Sequence, residues 1–233
     1  MEQLTRRVFF LPHVPGKDCP ALGYIQGNRQ AILVDAGPSP SRIRRLLEAI
    51  RARKLTRPEM AVLTHRHWDH TFGLSALDIP ALARQETAAC LERFSAMLWD
   101  KEGVAEYLAL EDGHGFTRQG LQQEFPRRFS IHPCPVQVII SSPQHLELGG
   151  CRCLLLPVDS PHCEDCLVVL AEEERVLFLG DAADPRQDGA DPAAAEALLR
   201  QLSSLDFHTA VPGHSPPLSR HALLHRLRKL TAD

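Results

Sequence analysis

The sequence lacks the features that would direct a chain onto a nucleic acid or into a membrane. Its 26 lysines and arginines nearly balance its 29 aspartates and glutamates, so the net charge is only -3. A charge this small creates no strong field towards a nucleic acid or an anionic lipid surface. Its apolar runs, such as Val176–Leu179, are far shorter than the roughly 20 residues that cross a bilayer. We therefore expect no nucleic acid partner and no membrane.

The N-terminal residues also lack the pattern of a signal peptide. Two arginines precede the apolar stretch Val8–Leu11, but Pro12 ends it before it reaches the length of a signal core. The seven cysteines are an odd number without the dense spacing of a disulfide scaffold. These absences favour a cytoplasmic protein whose cysteines, including Cys163 and Cys166, are mostly small buried residues.

The hydrophobic pattern indicates two similar halves in one α/β chain. Strand-like segments over residues 7–11, 22–25 and 31–35 precede a helix that Ser41 is expected to cap. Helical spacing dominates residues 81–130, and strand signals resume from residue 136 before two further helices. Strands followed by helices, twice over, predict two sheets packed face to face with helices outside.

Four potential metal ligands crowd directly after one short apolar strand, in His65-Arg66-His67-Trp68-Asp69-His70. One buried histidine is usually a satisfied core residue, but three beside an aspartate would bury several polar groups that need partners. In extended backbone, His65 and His67 point to the same side, while Asp69 and His70 follow the strand and can turn towards a second ion. Imidazole and carboxylate ligands suit zinc, iron or manganese.

This motif resembles the signature of the metallo-β-lactamase superfamily, whose fold is a four-layer αβ/βα sandwich. The resemblance implies further ligands, in a fixed order, at the ends of later strands. The sequence matches them with His162, Asp181 and His214, and it matches a supporting acid of the family with Asp35. The resemblance extends over nearly the whole chain and implies a single domain, residues 1–233, with a helical insertion at about 81–130.

The resemblance also implies how the ligands are shared. One cation would be bound by His65, His67 and His162, and the other by Asp69, His70 and His214, with Asp181 bridging the two. Asp181 stands where classical lactamases of the family have a cysteine, which is similar to the glyoxalase II, lactonase and phosphodiesterase branches.

Two divalent cations, in the first place Zn²⁺ and otherwise iron or manganese, would produce a metal-bridging hydroxide, with Asp69 and Asp181 as the catalytic acids that orient it. The resemblance thus implies a dinuclear hydrolase of an ester, thioester or lactone. A phosphodiesterase of the same fold, or a mononuclear iron enzyme similar to persulfide dioxygenases, is the alternative.

The substrate is expected to be a small molecule that contacts residues of the helical insertion. Loops inserted on a rigid scaffold often carry specificity, and Tyr107, His114 and Phe116 are the expected substrate-binding residues; packing of the insertion itself, or a homodimer contact, is the alternative. The chain ends at Asp233, so we do not expect the long C-terminal region that binds glutathione in glyoxalase II enzymes. Asp165 is expected to brace the turn after His162.

Overall fold

The computed structural model describes residues 1–110, 115–126, 131–185, 189 and 191–231. Its strands form two sheets, each of which carries helices on one face. Among the described residues, the structure contains no helix that combines the length and the apolar character needed to cross a membrane.

The first sheet contains strands from the N-terminal part of the chain. In spatial order they are β1 (Glu2–Gln3), β2 (Val8–Leu11), β3 (Leu22–Gln26), β4 (Ala31–Val34), β5 (Met60–Val62), β6 (Ala81–Ala83) and β7 (Val138–Ile139). Strands β1 to β4 are antiparallel, whereas β4 to β7 are parallel. The parallel pairing brings the carboxyl ends of β4 and β5 to the same edge of the sheet.

Helix α1 (Pro40–Ala52) connects β4 to β5 and packs its apolar side on the sheet. Its N-cap residue is Ser39, and the expected cap Ser41 lies inside the first turn. Proline explains the difference, because the fixed φ of Pro40 and its missing N–H suit the first position of a helix.

Several helices follow β5. They are α2 (Trp68–Thr71), α3 (Gln85–Ala96), α4 (Lys101–Leu110) and α5 (Gly115–Glu124), with a 3₁₀ turn at Phe72–Ala76. The last three lie in the predicted helical insertion, but residues 81–83 at its expected start form β6 of the sheet. These residues form a strand because a parallel ladder to β5 places Ala81 beside Ala61 and Leu82 beside Val62.

The second sheet contains strands from the C-terminal part of the chain. In spatial order they are β13 (Leu218–Ser219), β12 (Thr209–Pro212), β11 (Val176–Gly180), β10 (Leu167–Ala171), β9 (Arg152–Pro157) and β8 (Gln144–Glu147). Only β11 and β12 are parallel among these described pairs. Helix α6 (Pro192–Ser203) connects them, and α7 (Arg220–Leu230) follows β13.

The buried residues form three layers of core. Side chains such as Ile32 and Val62 of the first sheet meet Leu155 and Phe178 of the second. The opposite face of the first sheet packs on α1 and the insertion helices, and that of the second sheet packs on α6 and α7. The predicted four-layer αβ/βα sandwich is therefore confirmed.

Candidate metal centre

The seven expected ligands meet at one edge of the sandwich, where strands from both sheets end. They form two groups in which the ligand atoms lie within 4.8 Å of one another. The first group contains His65, His67, His162 and Asp181, and the second contains Asp69, His70 and His214. The fold thus brings together residues that are up to 149 positions apart, from His65 to His214.

In the first group, three imidazole rings converge. The Nδ1 atom of His67 lies 3.0 Å from the Nε2 atoms of both His65 and His162. Burial and the neighbouring His70 hold the pKa of His65 well below its ordinary value. Burial and His162 lower the pKa of His67 to about 4. Both rings are therefore neutral at pH 7, which is the form that binds a metal.

In the second group, histidines pair with carboxylates. His214 Nε2 lies 3.0 Å from Asp69 Oδ2, and His70 Nε2 lies 3.5 Å from the same oxygen. Burial alone would lower the pKa of His214, but Asp181 and Asp69 raise it to about 11. A proton on His214 would balance part of the carboxylate charge, and a cation bound here would replace that proton.

Asp181 lies between the two groups. Its Oδ2 atom is 3.4 Å from the Nε2 atoms of His70 and His214, and 3.7 and 3.9 Å from those of His162 and His65. Its Oδ1 atom and His70 Nε2 are buried without a hydrogen-bond partner. Buried polar atoms normally have partners, so the donor set fits cations well.

Two glycines allow the strands to approach this carboxylate. A Cβ atom at Gly213 would lie 2.1 Å from Asp181 Oδ1, and one at Gly180 would lie 2.3 Å from Thr64 Oγ1. Gly180 also has a positive φ of 52°, which favours glycine. Larger residues at either position would displace Asp181 or the segment that carries His65.

Asp35 supports the second group from the end of β4. Its φ of 62° is a left-handed conformation that aspartate tolerates better than most residues. Its Oδ2 atom lies 2.8 Å from His70 Nδ1, and its Oδ1 atom accepts the Thr64 N–H at 2.8 Å. The acid therefore orients His70 with Nε2 towards the centre.

Two further acids join the site. Asp18, in the loop between β2 and β3, accepts a hydrogen bond from Trp68 Nε1 at 3.0 Å. Burial and the nearby Asp69 raise the pKa of Asp18 to about 7. Sequence reasoning missed Asp18, since an isolated aspartate in a loop carries no pattern. Asp165, expected only to brace a turn, accepts the backbone N–H of Arg66 at 2.8 Å.

Of the three expected substrate-binding residues, the structure describes the side chain of Tyr107 only, and that side chain is buried. Tyr107 is 1% exposed, with its ring centroid 5.1 to 5.7 Å from those of Phe94, Trp99 and Phe72. Tyr107 packs the insertion, and a substrate contact there would require this aromatic cluster to open. His114 and the side chain of Phe116 lie outside the described residues.

The cysteine beside His162 has a partner away from the ligand groups. The Sγ atoms of Cys163 and Cys166 lie 2.9 Å apart, and both residues are buried. Cys166 and burial raise the pKa of the Cys163 thiol well above its ordinary value. A protonated thiol is a poor metal ligand, which agrees with the expectation that these cysteines are small buried residues.

Comparisons with known proteins point to one family. The profile of the metallo-beta-lactamase superfamily matches residues 22–80. An acyl-coenzyme A thioesterase, MBLAC2 of Gallus gallus, is 25% identical over 169 residues, which are 67% of this chain and 55% of that protein. The chain thus spans about half the length of this curated relative.

Solved structures share the fold. A metallo-beta-lactamase family protein from Thermus thermophilus is 23% identical with a TM-score of 0.69, over 99% of this chain and 80% of that chain. A metallo-beta-lactamase from Pontibacter korlensis is 18% identical with a TM-score of 0.64, over 99% and 98% of the two chains. The family model thus confirms the resemblance of the ligand motif to the metallo-β-lactamase superfamily over residues 22–80, and the solved structures confirm the fold.

Proposed function

We propose that the chain is a dinuclear metal-dependent hydrolase that cleaves a thioester or a related ester or lactone. The observation that carries this proposal is the position of Asp181. Its Oδ2 atom is 3.4 Å from two histidines of one ligand group and 3.7 to 3.9 Å from two histidines of the other. A carboxylate in this position can bind two adjacent cations, one on each side.

The donor set favours Zn²⁺ in both positions, because histidine imidazoles, carboxylates and cysteine thiolates are the usual protein ligands of zinc. Two such cations would lower the pKa of a coordinated water to about 7 and polarise the oxygen that gains charge in the reaction.

The residues of the chain supply orientation and charge. Asp69 Oδ2 and Asp181 Oδ2 both lie within 3.4 Å of His214 Nε2, so the two carboxylates face one small space. In that space they can accept hydrogen bonds from an attacking water and fix its direction. Both residues are buried, and the reduced access of bulk water strengthens these electrostatic interactions.

Support for a thioester comes from the curated relative, which is an acyl-coenzyme A thioesterase. The site itself requires only a carbonyl that a water can attack. We therefore place thioesters first within the substrate class and keep esters and lactones with them.

The test is elemental analysis of protein purified without added metal, followed by assays on an acyl-coenzyme A thioester, a lactone, an aryl ester and bis-p-nitrophenyl phosphate. We expect two zinc ions per chain and thioester turnover that a chelator abolishes and Zn²⁺ restores. One iron per chain with oxygen uptake would contradict the proposal, and so would turnover of the phosphodiester alone.

A further inference from the structure

The segment that carries His65 and His67 continues beyond the hydrogen-bonded ladder of its strand. Strand β5 ends at Val62, and Leu63 makes the last such bond, from its N–H to Leu82 O at 2.8 Å. Thr64 and Arg66 then alternate with the two histidines. Their backbone N–H groups need other partners, because a buried N–H without a hydrogen bond is costly.

Two buried carboxylates supply these partners. Asp35 Oδ1 accepts the N–H of Thr64 at 2.8 Å, and Asp165 Oδ2 accepts the N–H of Arg66 at 2.8 Å. Asp35 follows β4 of the first sheet, whereas Asp165 lies in the loop between β9 and β10 of the second. The two acids therefore hold alternate peptide groups of one short segment from opposite halves of the molecule.

The carboxylate of Asp165 accepts three hydrogen bonds. Its side chain is fully buried, and besides the Arg66 N–H it accepts Arg66 Nη1 at 2.7 Å and Thr87 Oγ1 at 2.8 Å. Burial alone would raise the pKa of Asp165, but Arg66, Thr87 and Cys163 hold it below its ordinary value. The carboxylate is thus anionic, and its hydrogen bonds are of the stronger, charge-assisted kind.

The position of Asp165 connects the ligands of one group. It stands three residues after His162, and it binds the peptide N–H between His65 and His67. These are the three rings that converge around His67 Nδ1 at 3.0 Å. Asp35 instead contacts His70 Nδ1 at 2.8 Å, and His70 belongs to the second group.

We propose that Asp165 is a positioning residue for the first ligand group: it holds the His65–His67 segment and the His162 loop in register, so that their three rings meet at one cation. Thr87 extends this connection to helix α3 of the insertion. The inference rests on the two-cation site of the proposed function and is independent of the substrate.

The test is a titration of metal-free protein with Co²⁺ in competition with a chelator, followed by the visible absorption of the bound cobalt. We expect Asp165→Asn to weaken one of the two cations about 10- to 100-fold, as loss of a residue that orients ligands generally does, and to leave the other unchanged. The lost absorption should match that lost in His162→Ala. Asp35→Asn is the matched comparison. Because Asp35 contacts His70 directly and also holds the Thr64 N–H beside His65, this variant should weaken the cation of the second group, which Asp165→Asn leaves unchanged.

A general loss of stability would not produce this selective pattern. Leu227→Ala, a core truncation in α7, serves as the stability control and should leave both affinities unchanged. The inference is overturned if Asp165→Asn binds both cations with wild-type affinity, or if it weakens both equally.

If Asp165→Asn fails to fold, two variants of Thr87 test the same inference by the same cobalt titration. Thr87→Val removes one donor to Asp165, and Thr87→Ser retains it. We expect Thr87→Val to weaken the cation of the first group several-fold relative to Thr87→Ser, and equal affinities would overturn the inference. If the wild-type chain binds no cation, both the proposed function and this inference are overturned. If the wild-type chain binds two cations but the variants do not behave as expected, only the role of Asp165 is overturned.

Discussion

At the scale of residues, the centre depends on buried carboxylates whose surroundings decide their charge. Burial opposes ionisation of Asp181, but His214 and His70 hold its pKa well below the ordinary value. Asp18 shows the reverse, because burial and Asp69 raise its pKa to about 7. Acids of the same type therefore differ in charge at neutral pH according to whether histidines or another acid lie beside them.

Asp181→Asn tests the central carboxylate. The amide keeps the shape of the side chain but loses the charge that lies between the two groups. We expect turnover of any true substrate to fall by about three orders of magnitude or more, which corresponds to about 4 kcal/mol of lost transition-state stabilisation. We also expect the cation at Asp69, His70 and His214 to bind more weakly. Turnover and metal content are measured on the same preparation, and unchanged values would contradict the assignment.

Asp18→Asn tests the pH dependence of stability in metal-free protein. The pKa of Asp18 is about 7 in the folded chain and 3.8 in the unfolded chain. Ionisation of Asp18 therefore destabilises the folded chain: this loss is absent below about pH 4, grows as the pH rises, and is complete above about pH 7. The variant should match wild type at pH 4 and be more stable at pH 8 by about 1–3 kcal/mol. Urea unfolding at the two pH values measures this difference, and an equal effect at both would refute the cause.

At the scale of elements, aromatic packing attaches the insertion helices to the segment that follows β5. The rings of Trp99 and Tyr107 both lie against Phe72, which follows α2 directly. Trp99 Nε1 also donates to Phe94 O at 3.0 Å. The insertion is thereby fixed to the segment that carries Asp69 and His70, and its inner face belongs to the core.

Tyr107→Ala distinguishes packing from substrate binding. Because the ring is buried among three aromatic residues, its removal should lower the free energy of unfolding by about 3–5 kcal/mol. Leu110→Ala, on the exposed side of the same helix, is the control and should change it by no more than about 0.5 kcal/mol. Chemical denaturation measures both, and a variant with full stability but a raised KM would instead assign Tyr107 to the substrate.

At the scale of the whole molecule, the ligand groups join the two halves of the sandwich. His65, His67, Asp69 and His70 follow β5 of the first sheet, whereas His162, Asp181 and His214 follow β9, β11 and β12 of the second. Each group takes ligands from both halves. Cations bound here would hold the sheets together at the edge where their strands end.

Removal of metal should therefore destabilise the entire chain. A cation present at about 1,000 times its Kd stabilises by about 4 kcal/mol, so we expect a chelator to lower Tm by roughly 10 °C for a chain of this size and Zn²⁺ to restore it. His221 and His225, stacked at 6.4 Å on α7, provide the control. The variant with both changed to alanine should show the same shift, and loss of the shift would mean that surface histidines cause it.

The sequence by itself determined which residues can bind cations, because ligand chemistry and the two-residue repeat of extended backbone are local properties that can be read from His65, His67, Asp69 and His70. With the family resemblance, the order of the later ligands and the fold also followed. Asp35 was expected from the resemblance, but only the tertiary structure decided that Asp18 and Asp165 also reach the site and which aromatic residues are buried. Asp165 binds a peptide 99 positions away, and Tyr107 packs on Phe72 across the insertion. Such contacts depend on how strands and helices pack, and the spacing of residues along the chain does not encode that packing.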